Sequence, residues 1–299
     1  MSYKERPLVS IGVPCYNRPE GLKRILYSLV SQTYENIEII ISDNASDNLE
    51  VQKIGSDYAK NDARVRYFRQ KEAVNVLDNF IFVKEYASGV YFMWAADDDI
   101  LAIDYIEKCL DFLENDTEIV LAAGTAIYRR PDNTVYNGVN RSFDSDTPSE
   151  RLLDYFRTVI DNGIFYGVYK NSVLSLVDMH RNFLGNDWCI LAEIAYLGKI
   201  KIVGSTYIIR DASHLFIKNP WKRLLDMYGL PKIAERVPRR WLAMEIRFFL
   251  KKSSVISEFE RDILADTVYC ILQKRFINEN VIIHCYDLFS RLYYPFFAR

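Results

Sequence analysis

The sequence lacks paired cysteines: five (Cys15, Cys109, Cys189, Cys270 and Cys285) stand singly along 299 residues, with no CxxC. Such spacing offers no disulfide framework and predicts reduced, buried thiols, as in a cytoplasmic protein. No apolar run approaches the roughly 18 residues of a spanning helix. Residues 1–7 are polar and charged, so no secretory signal is expected. With 12 Gly and 9 Pro the chain has no low-complexity linker. The first predicted strand runs into PCYNRPEG (14–21). A G-x-G-x-x-G turn is absent there, which excludes the nicotinamide dehydrogenase pattern, and so is the Gly-rich basic loop of a nucleotidyltransferase.

What is present is an ordinary globular balance, 49% hydrophobic and 26% charged, with aromatics high at 14%. Aromatics stack on flat rings but also fill cores, so their number decides nothing. The formal net charge of −2 is unevenly placed. From Lys218 onward 15 Lys and Arg face 9 Asp and Glu, whereas the preceding residues carry 23 against 31. No nucleic-acid partner is expected. The basic, aromatic 218–299 segment suits an anionic membrane surface or another subunit, and equally a solvated helical face.

Strand and helix patterns alternate over the first hundred residues. LVSIGVP (8–14) reads as a buried strand, and a helix starts at Pro19 with Leu22, Ile25, Leu26, Leu29 and Val30 on one face. IEIIIS (37–42), RVRYFRQ (64–70) and VYFMWA (90–95) predict three more strands, with helices between them. The fold class is therefore α/β, an open, mostly parallel sheet flanked by helices. Further on, 118–130 reads as a strand or hairpin, 149–160 as a helix capped by Ser149, and 187–198 as a helix. KIKIV and TYIIR read as two strands, and a helical segment begins near 219.

In such sheets ligands bind beyond the carboxyl ends of the strands. Strand one ends in PCYN, strand two in SDNASDN and strand four in DDD, all at one edge. Asp97, Asp98 and Asp99 repel one another unless a cation lies between them, and adjacent carboxylates suit Mg²⁺ or Mn²⁺ completed by substrate phosphates. The alternative is the start of a helix over ILAIDYIEKCL, which accounts for one aspartate but not three. Asp43 could accept a nucleobase N–H or close an Asx turn. Tyr16 and Asn17, after Pro14, could cover a base and fix a ribose or simply form the turn. Arg69 could meet a base or phosphate, or sit in a surface ion pair. Asp187 begins a helix, where N-capping competes with a role as base. His214 stands in RDASH near Arg210, directly after a strand.

These residues, taken together, resemble inverting family 2 glycosyltransferases of the GT-A fold. The pattern strand, P-x-Y-N, helix ending S-x-x-x-Q-T-Y, strand, D-D/N-x-S-x-D is matched by Pro14, Tyr16, Asn17, Ser28, Gln32, Thr33, Tyr34, Asp43, Asn44, Ser46 and Asp47. FRQKEAVNVLDNF is similar to a further segment, keeping Arg69, Asn75 and Asn79 without its glycine and alanine. WAADDDIL resembles the metal-binding D-x-D, with Ala96 where the first aspartate falls; either Asp97 and Asp99 form the pair or Asp98 alone of the usual two remains. GNDWCI is similar to the acceptor-side segment whose Asp is the base, with Asn186 in place of Glu, and RDASH to a late R-x-x-H. The likeness spans about 6–215.

The resemblance implies a GT-A domain over 1–217 (nucleotide-binding half 1–100, acceptor half 101–217) followed by the helical segment 218–299. It implies sugar transfer from a nucleotide-sugar donor, a UDP-sugar by preference, to a glycan or lipid-linked acceptor of a bacterial surface polysaccharide. Pro14, Tyr16, Asn17, Asp43, Arg69, Asn75, Asp97, Asp98 and Arg210 would hold the donor. Asp97, Asp98, Asp99 and His214 would hold Mn²⁺ or Mg²⁺, and Asp187 would be the base. A cytoplasmic location, with or without peripheral contact at the inner membrane face, follows. Ala96 and Asn186 leave a catalytically impaired sugar-binding or scaffold protein as the alternative.

Overall fold

The computed structural model describes residues 6–181, 183, 185–212 and 238–293, with side chains up to 276. Strand β1 (Val9–Cys15) is buried along its whole length, with parallel neighbours on both sides. Helix α1 (Pro19–Val30) follows and buries Leu22, Ile25, Leu26 and Leu29 completely. Each of those side chains contributes about 2 kcal/mol on burial. Next come β2 (Ile37–Asp43), α2 (Leu49–Asn61), β3 (Val65–Arg69), α3 (Val76–Glu85) and β4 (Tyr91–Trp94). These first four strands are all parallel, in the spatial order β3-β2-β1-β4.

The chain thus leaves β1 towards β2 on one side and returns to β4 on the other. In open sheets of this kind the ligand crevice forms where that order reverses. Register ends at Gly12 opposite Trp94, with one last bond from Ala95 N–H to Gly12 O. Val9 N–H points to the β2 side, so by alternation the nitrogen of Pro14 faces the β4 side, beyond the last rung. A residue without an N–H belongs there.

The acidic triplet does not start a helix. A two-residue strand, β5 (Ile100–Leu101), comes first, and α4 (Tyr105–Asn115) begins four residues later. The second half contains β6 (Ile119–Arg129), β7 (Val135–Asn137), α5 (Pro148–Thr158), a 3-10 turn (Gly163–Tyr166), β8 (Val168–Lys170), α6 (Asn171–Leu174), α7 (Asn186–Leu197) and β9 (Lys199–Asp211). Among the described residues nine strands form one sheet, β8-β6-β9-β5 continuing from β4 and β7 hanging on β6. The segment 118–130, expected as a strand or a hairpin, is one long strand whose partner β7 follows it. KIKIV and TYIIR are one strand, with register shifts opposite Ile119 and Leu121 and, between the two segments, opposite Gly124 and Thr125. Helix α5 is capped by Thr147, which accepts the Glu150 N–H, rather than by Ser149, whose hydroxyl donates to Glu260.

Two further helices, α8 (Pro238–Leu250) and α9 (Glu258–Tyr293), are present. The boundary expected near 218 lies outside the described residues. Leu242, Ala243, Ile246, Leu264, Val268 and Leu272 pack into the same apolar core as Tyr155, Phe156, Ile190 and Leu191 of α5 and α7. The C-terminal helices therefore share the sheet domain's core. Their basic residues are partly neutralised within the pair, Arg247 and Lys251 meeting Asp266. Among the described residues no helix is long and apolar enough to cross a membrane.

Helix α1 is what positions the acidic loop. A Cβ on Gly21 would lie 2.1 Å from the Asp97 carbonyl oxygen, so the helix can press on that backbone only without a side chain. Gly21→Ala should destabilise the fold by about 1–3 kcal/mol, outweighing the roughly 1 kcal/mol that Ala favours in a helix interior. Urea denaturation checks it: a variant as stable as wild type would mean that the loop and helix yield freely.

Candidate active site

Three guanidiniums meet the carboxylates at this sheet edge. Arg18, at the start of α1, donates through Nη1 to Asp97 Oδ1 (3.1 Å) and to Asp98 Oδ2 (2.5 Å). The other oxygen of Asp97 accepts the Tyr16 N–H (3.1 Å). Asp99 is fully buried, and Arg210 Nε from β9 lies 3.3 and 3.4 Å from its two oxygens. Burial pushes the Asp97 carboxyl up to about 6 and that of Asp99 to about 7, against the pull of Arg18 and Arg210 respectively. The triplet therefore divides. Asp97 and Asp98 converge on one cation, while Asp99 faces another.

Asp43, at the end of β2, is fully buried and held from three directions. Its Oδ1 accepts the Ser46 N–H (2.8 Å), and its Oδ2 accepts from Tyr67 (2.8 Å) and Arg69 (2.6 Å). Arg69 also donates to the Ser46 carbonyl, so the β2 turn and the end of β3 are locked together. Asn17 and Ala45 both have positive φ, 55° and 54°. Asn adopts that conformation readily, whereas for Ala it costs about 1–2 kcal/mol. The two turns are bonded to each other: Asn17 N–H donates to Ser46 Oγ, and Asn17 Oδ1 accepts the Asn48 N–H. Tyr16 itself is left 46% exposed beside them, so its ring is available to a flat ligand.

Asn75 caps α3, accepting the Asp78 N–H and donating to the Asp78 carboxylate. Asn79 is buried and exchanges two hydrogen bonds with Ser42. Asn44 grips the 70–75 loop through Val74 N–H and C=O.

In the second half of the chain, Gly185, at φ 100°, turns the chain into α7 and leaves Asp187 in its first turn. Asp187 Oδ1 accepts the N–H of Trp188 (2.8 Å), and Oδ2 accepts from Asn162 Nδ2. Burial raises its carboxyl to about 6, while the Trp188 amide and the Arg210 charge pull it back. Asn162 Oδ1 is buried with no partner among the described residues. Tyr166 lies flat under Arg210, the guanidinium carbon 3.8 Å from the ring centre. The ionisation of Tyr166 is raised to about 12, by burial first and then, against Arg210, by Asp99, Asp98 and Asp187. The Tyr166–Arg210 stack thus stands among the acidic triplet and Asp187.

Of the residues expected from sequence, Pro14, Tyr16, Asn17, Asp43, Arg69, Asp97, Asp98, Asp99, Asp187 and Arg210 are described at this edge or directly linked to it. Asn75 serves as a helix cap, and His214 lies outside the described residues. Among the described residues no group of three or more His, Cys, Asp or Glu forms a metal cage. The donor set that does converge is the Asp97–Asp98 pair. It is hard, anionic and already shaped around a cation, which fits a divalent ion whose remaining ligands are water and phosphate. Arg18 and Asn162 were not foreseen. Arg18 immediately follows the P-x-Y-N run and could have been suspected; Asn162, in DNG, carries no signal. The S-x-x-x-Q-T-Y stretch has a structural task. Gln32 donates to Ser28 O and Ala102 O and accepts the Ile106 N–H, bracketing the chain after the triplet.

The sequence profile of Glycosyl transferase family 2 matches residues 10–173. That is more than half of the chain, which therefore belongs to this family. Its curated relatives include chondroitin synthase of Escherichia coli, 31% identical over 46% of this chain and 20% of that protein. Another is the GalNAc(5)-diNAcBac-PP-undecaprenol beta-1,3-glucosyltransferase of Campylobacter jejuni, 26% identical over 60% of this chain and 57% of that protein. The chain spans well under two thirds of its curated relatives' lengths, 23% for an uncharacterized glycosyltransferase of Rickettsia felis. Among solved structures, S. aureus TarS 1-349 superposes with a TM-score of 0.57 at 14% identity, covering 87% of this chain and 70% of that one. The same protein in complex with UDP-GlcNAc gives 0.55 at 15% identity, covering 86% and 70%. These likenesses show the fold.

The raised carboxyl of Asp187 carries a stability consequence. An ordinary aspartate titrates near 3.8, so folding disfavours the ionised form, and the native state loses stability as pH rises from about 4 to 6. Asp187→Asn removes that loss. After allowance for its partial exposure, the variant should gain about 1–2 kcal/mol at pH 7.5, shrinking towards zero near pH 4. Urea denaturation at the two pH values measures it, and a less stable variant at pH 7.5 would contradict the assigned direction.

Proposed function

We propose that this chain is an inverting, metal-dependent glycosyltransferase of the GT-A type. It moves a sugar from a nucleotide-sugar donor, a UDP-sugar by preference, to a hydroxyl of a glycan or lipid-linked glycan of a bacterial surface polysaccharide. The observation that carries the reading is Arg210, ion-paired to Asp99 while its charge also reaches Asp187. One guanidinium thus ties the leaving-group side to the candidate base. The chondroitin synthase and undecaprenol-linked glucosyltransferase relatives favour a surface glycan, and the UDP-GlcNAc complex of TarS favours a UDP-sugar.

In this mechanism the base and ribose lie over the β1 and β2 turns, with the exposed Tyr16 ring against the base. Asp43, fully buried and bonded to Arg69, Tyr67 and the Ser46 amide, fixes the β2 turn against which the base lies. The diphosphate reaches the crevice between β1 and β4. Asp97 and Asp98 would hold the divalent ion, which supplies Lewis-acid stabilisation of the leaving diphosphate. Asp99, as counter-ion of Arg210, fixes that guanidinium where negative charge develops on the leaving group. Asp187 takes the proton of the acceptor hydroxyl as its oxygen attacks the anomeric carbon from the opposite face. Asn162 donates to Asp187 Oδ2 and so orients it. A single displacement without an enzyme nucleophile inverts the anomeric centre.

The base must be ionised to act, so kcat at saturating donor and Mn²⁺, where Asp97 is already engaged, should fall with unit slope as pH drops below about 6, the value to which burial raises Asp187. Asp187→Asn should lower transfer by about a thousandfold while UDP binding changes less than about twofold. A mutant transferring at near wild-type rate, or a profile flat down to pH 5, would remove Asp187 from the role. Screening nucleotide sugars for turnover with Mn²⁺ and with EDTA tests the wider reading. Equal turnover in EDTA would refute metal dependence, and the absence of both transfer and donor hydrolysis across the screen would favour a binding or scaffold role.

A further inference from the structure

Arg18 has no task in the family likeness, yet among the described residues it pairs with both Asp97 and Asp98. One nitrogen, Nη1, lies within hydrogen-bond reach of both carboxylates. Adjacent carboxylates repel, and here the guanidinium is the positive charge that lets them converge. The position is unusual for a structural arginine. It is the residue before the first turn of α1, its side chain makes no capping bond, and that side chain is 46% exposed. The long stem can therefore swing without disturbing the core.

Asp97 and Asp98 would hold a divalent ion through the same pair of carboxylates that Arg18 Nη1 now bridges. Two cations competing for that pair repel one another in a partly desolvated site. Arg18 must leave when the ion arrives. The nearest change in charge at that moment is the diphosphate, which brings negative oxygens to the same crevice, and a guanidinium fork matches phosphate geometry. We infer that Arg18 is an exchangeable counter-cation: it neutralises Asp97 and Asp98 while the site is empty and moves to the donor's diphosphate when the divalent ion takes its place. This rests on the reading of Asp97 and Asp98 as the cation pair.

The exchange predicts effects of opposite sign from one substitution. In Arg18→Gln, Mn²⁺ binding without nucleotide should tighten by about tenfold, the scale of a half-exposed ion pair no longer in competition. With saturating Mn²⁺, UDP should bind the same variant about tenfold more weakly. Manganese EPR and titration calorimetry on the full chain read both quantities without turnover. Arg18→Lys, which keeps the charge but loses the fork, should fall between wild type and Gln in each. Asp98→Asn should weaken Mn²⁺ binding and so reports on the site itself. Unchanged or weaker Mn²⁺ binding in Arg18→Gln, with Asp98→Asn still impaired, would overturn the counter-cation role and leave the metal reading standing. Tighter Mn²⁺ with unchanged UDP affinity would overturn the transfer to the diphosphate. If neither wild type nor Arg18→Gln binds Mn²⁺ at millimolar concentration, the metal reading fails and this inference with it.

Discussion

Four carboxylates crowd one end of a parallel sheet, and three guanidiniums make that arrangement tenable. Asp43 and Asp99 are fully buried and Asp97 nearly so. A buried carboxylate without compensation is costly by several kcal/mol, or gives up its charge. Each is answered by an arginine from another part of the chain: Arg69 from the adjacent strand, Arg18 from the helix after β1, and Arg210 from a strand 111 residues away. The loops after β1, β2 and β4 hold their positions because of these pairs, and everything proposed about donor and acceptor depends on those positions. Carboxyls raised to about 6 and 7 mark how finely the charges are balanced.

Much of the conspicuous motif chemistry turns out to be scaffolding. Gln32, Asn44, Asn79 and Ser28 satisfy backbone groups or one another where irregular loops would otherwise bury unpaired polar atoms. Asn17 occupies the left-handed turn that aims the amide of Tyr16 at Asp97 and its own amide at Ser46. Such residues hold the loops of the site in place. Specific polar side chains are required in these loops because each has few alternative ways to close its hydrogen bonds.

The early strands were legible because a parallel strand buried on both faces must be mostly apolar, and Ile37–Asp43 and Val9–Cys15 are so apart from Glu38, Ser42, Asp43 and Ser10. The edge at which the acidic clusters gather was legible too, since PCYN, SDN and DDD end the first, second and fourth strands. Less could be read where local pattern and tertiary need part company. KIKIV and TYIIR look like two strands because polar residues interrupt them, yet β6 supports one continuous partner across the interruption. Ser149 looks like a cap, but Pro148 fills the first helical position and Thr147 the cap.

The sequence by itself determined the α/β layering, the apolar faces, the strand ends carrying acid and the family, because these depend on periodicity and on residues close together in the chain. Tertiary structure alone decided how the acidic triplet divides, Asp97 and Asp98 towards Arg18 and Asp99 towards Arg210. It alone brought Asn162 onto Asp187 and drew α8 and α9 into the main core. Those outcomes depend on which charges and surfaces meet across 25 to 111 residues of chain, and burial and Coulomb attraction act through space, where adjacency in sequence has no bearing.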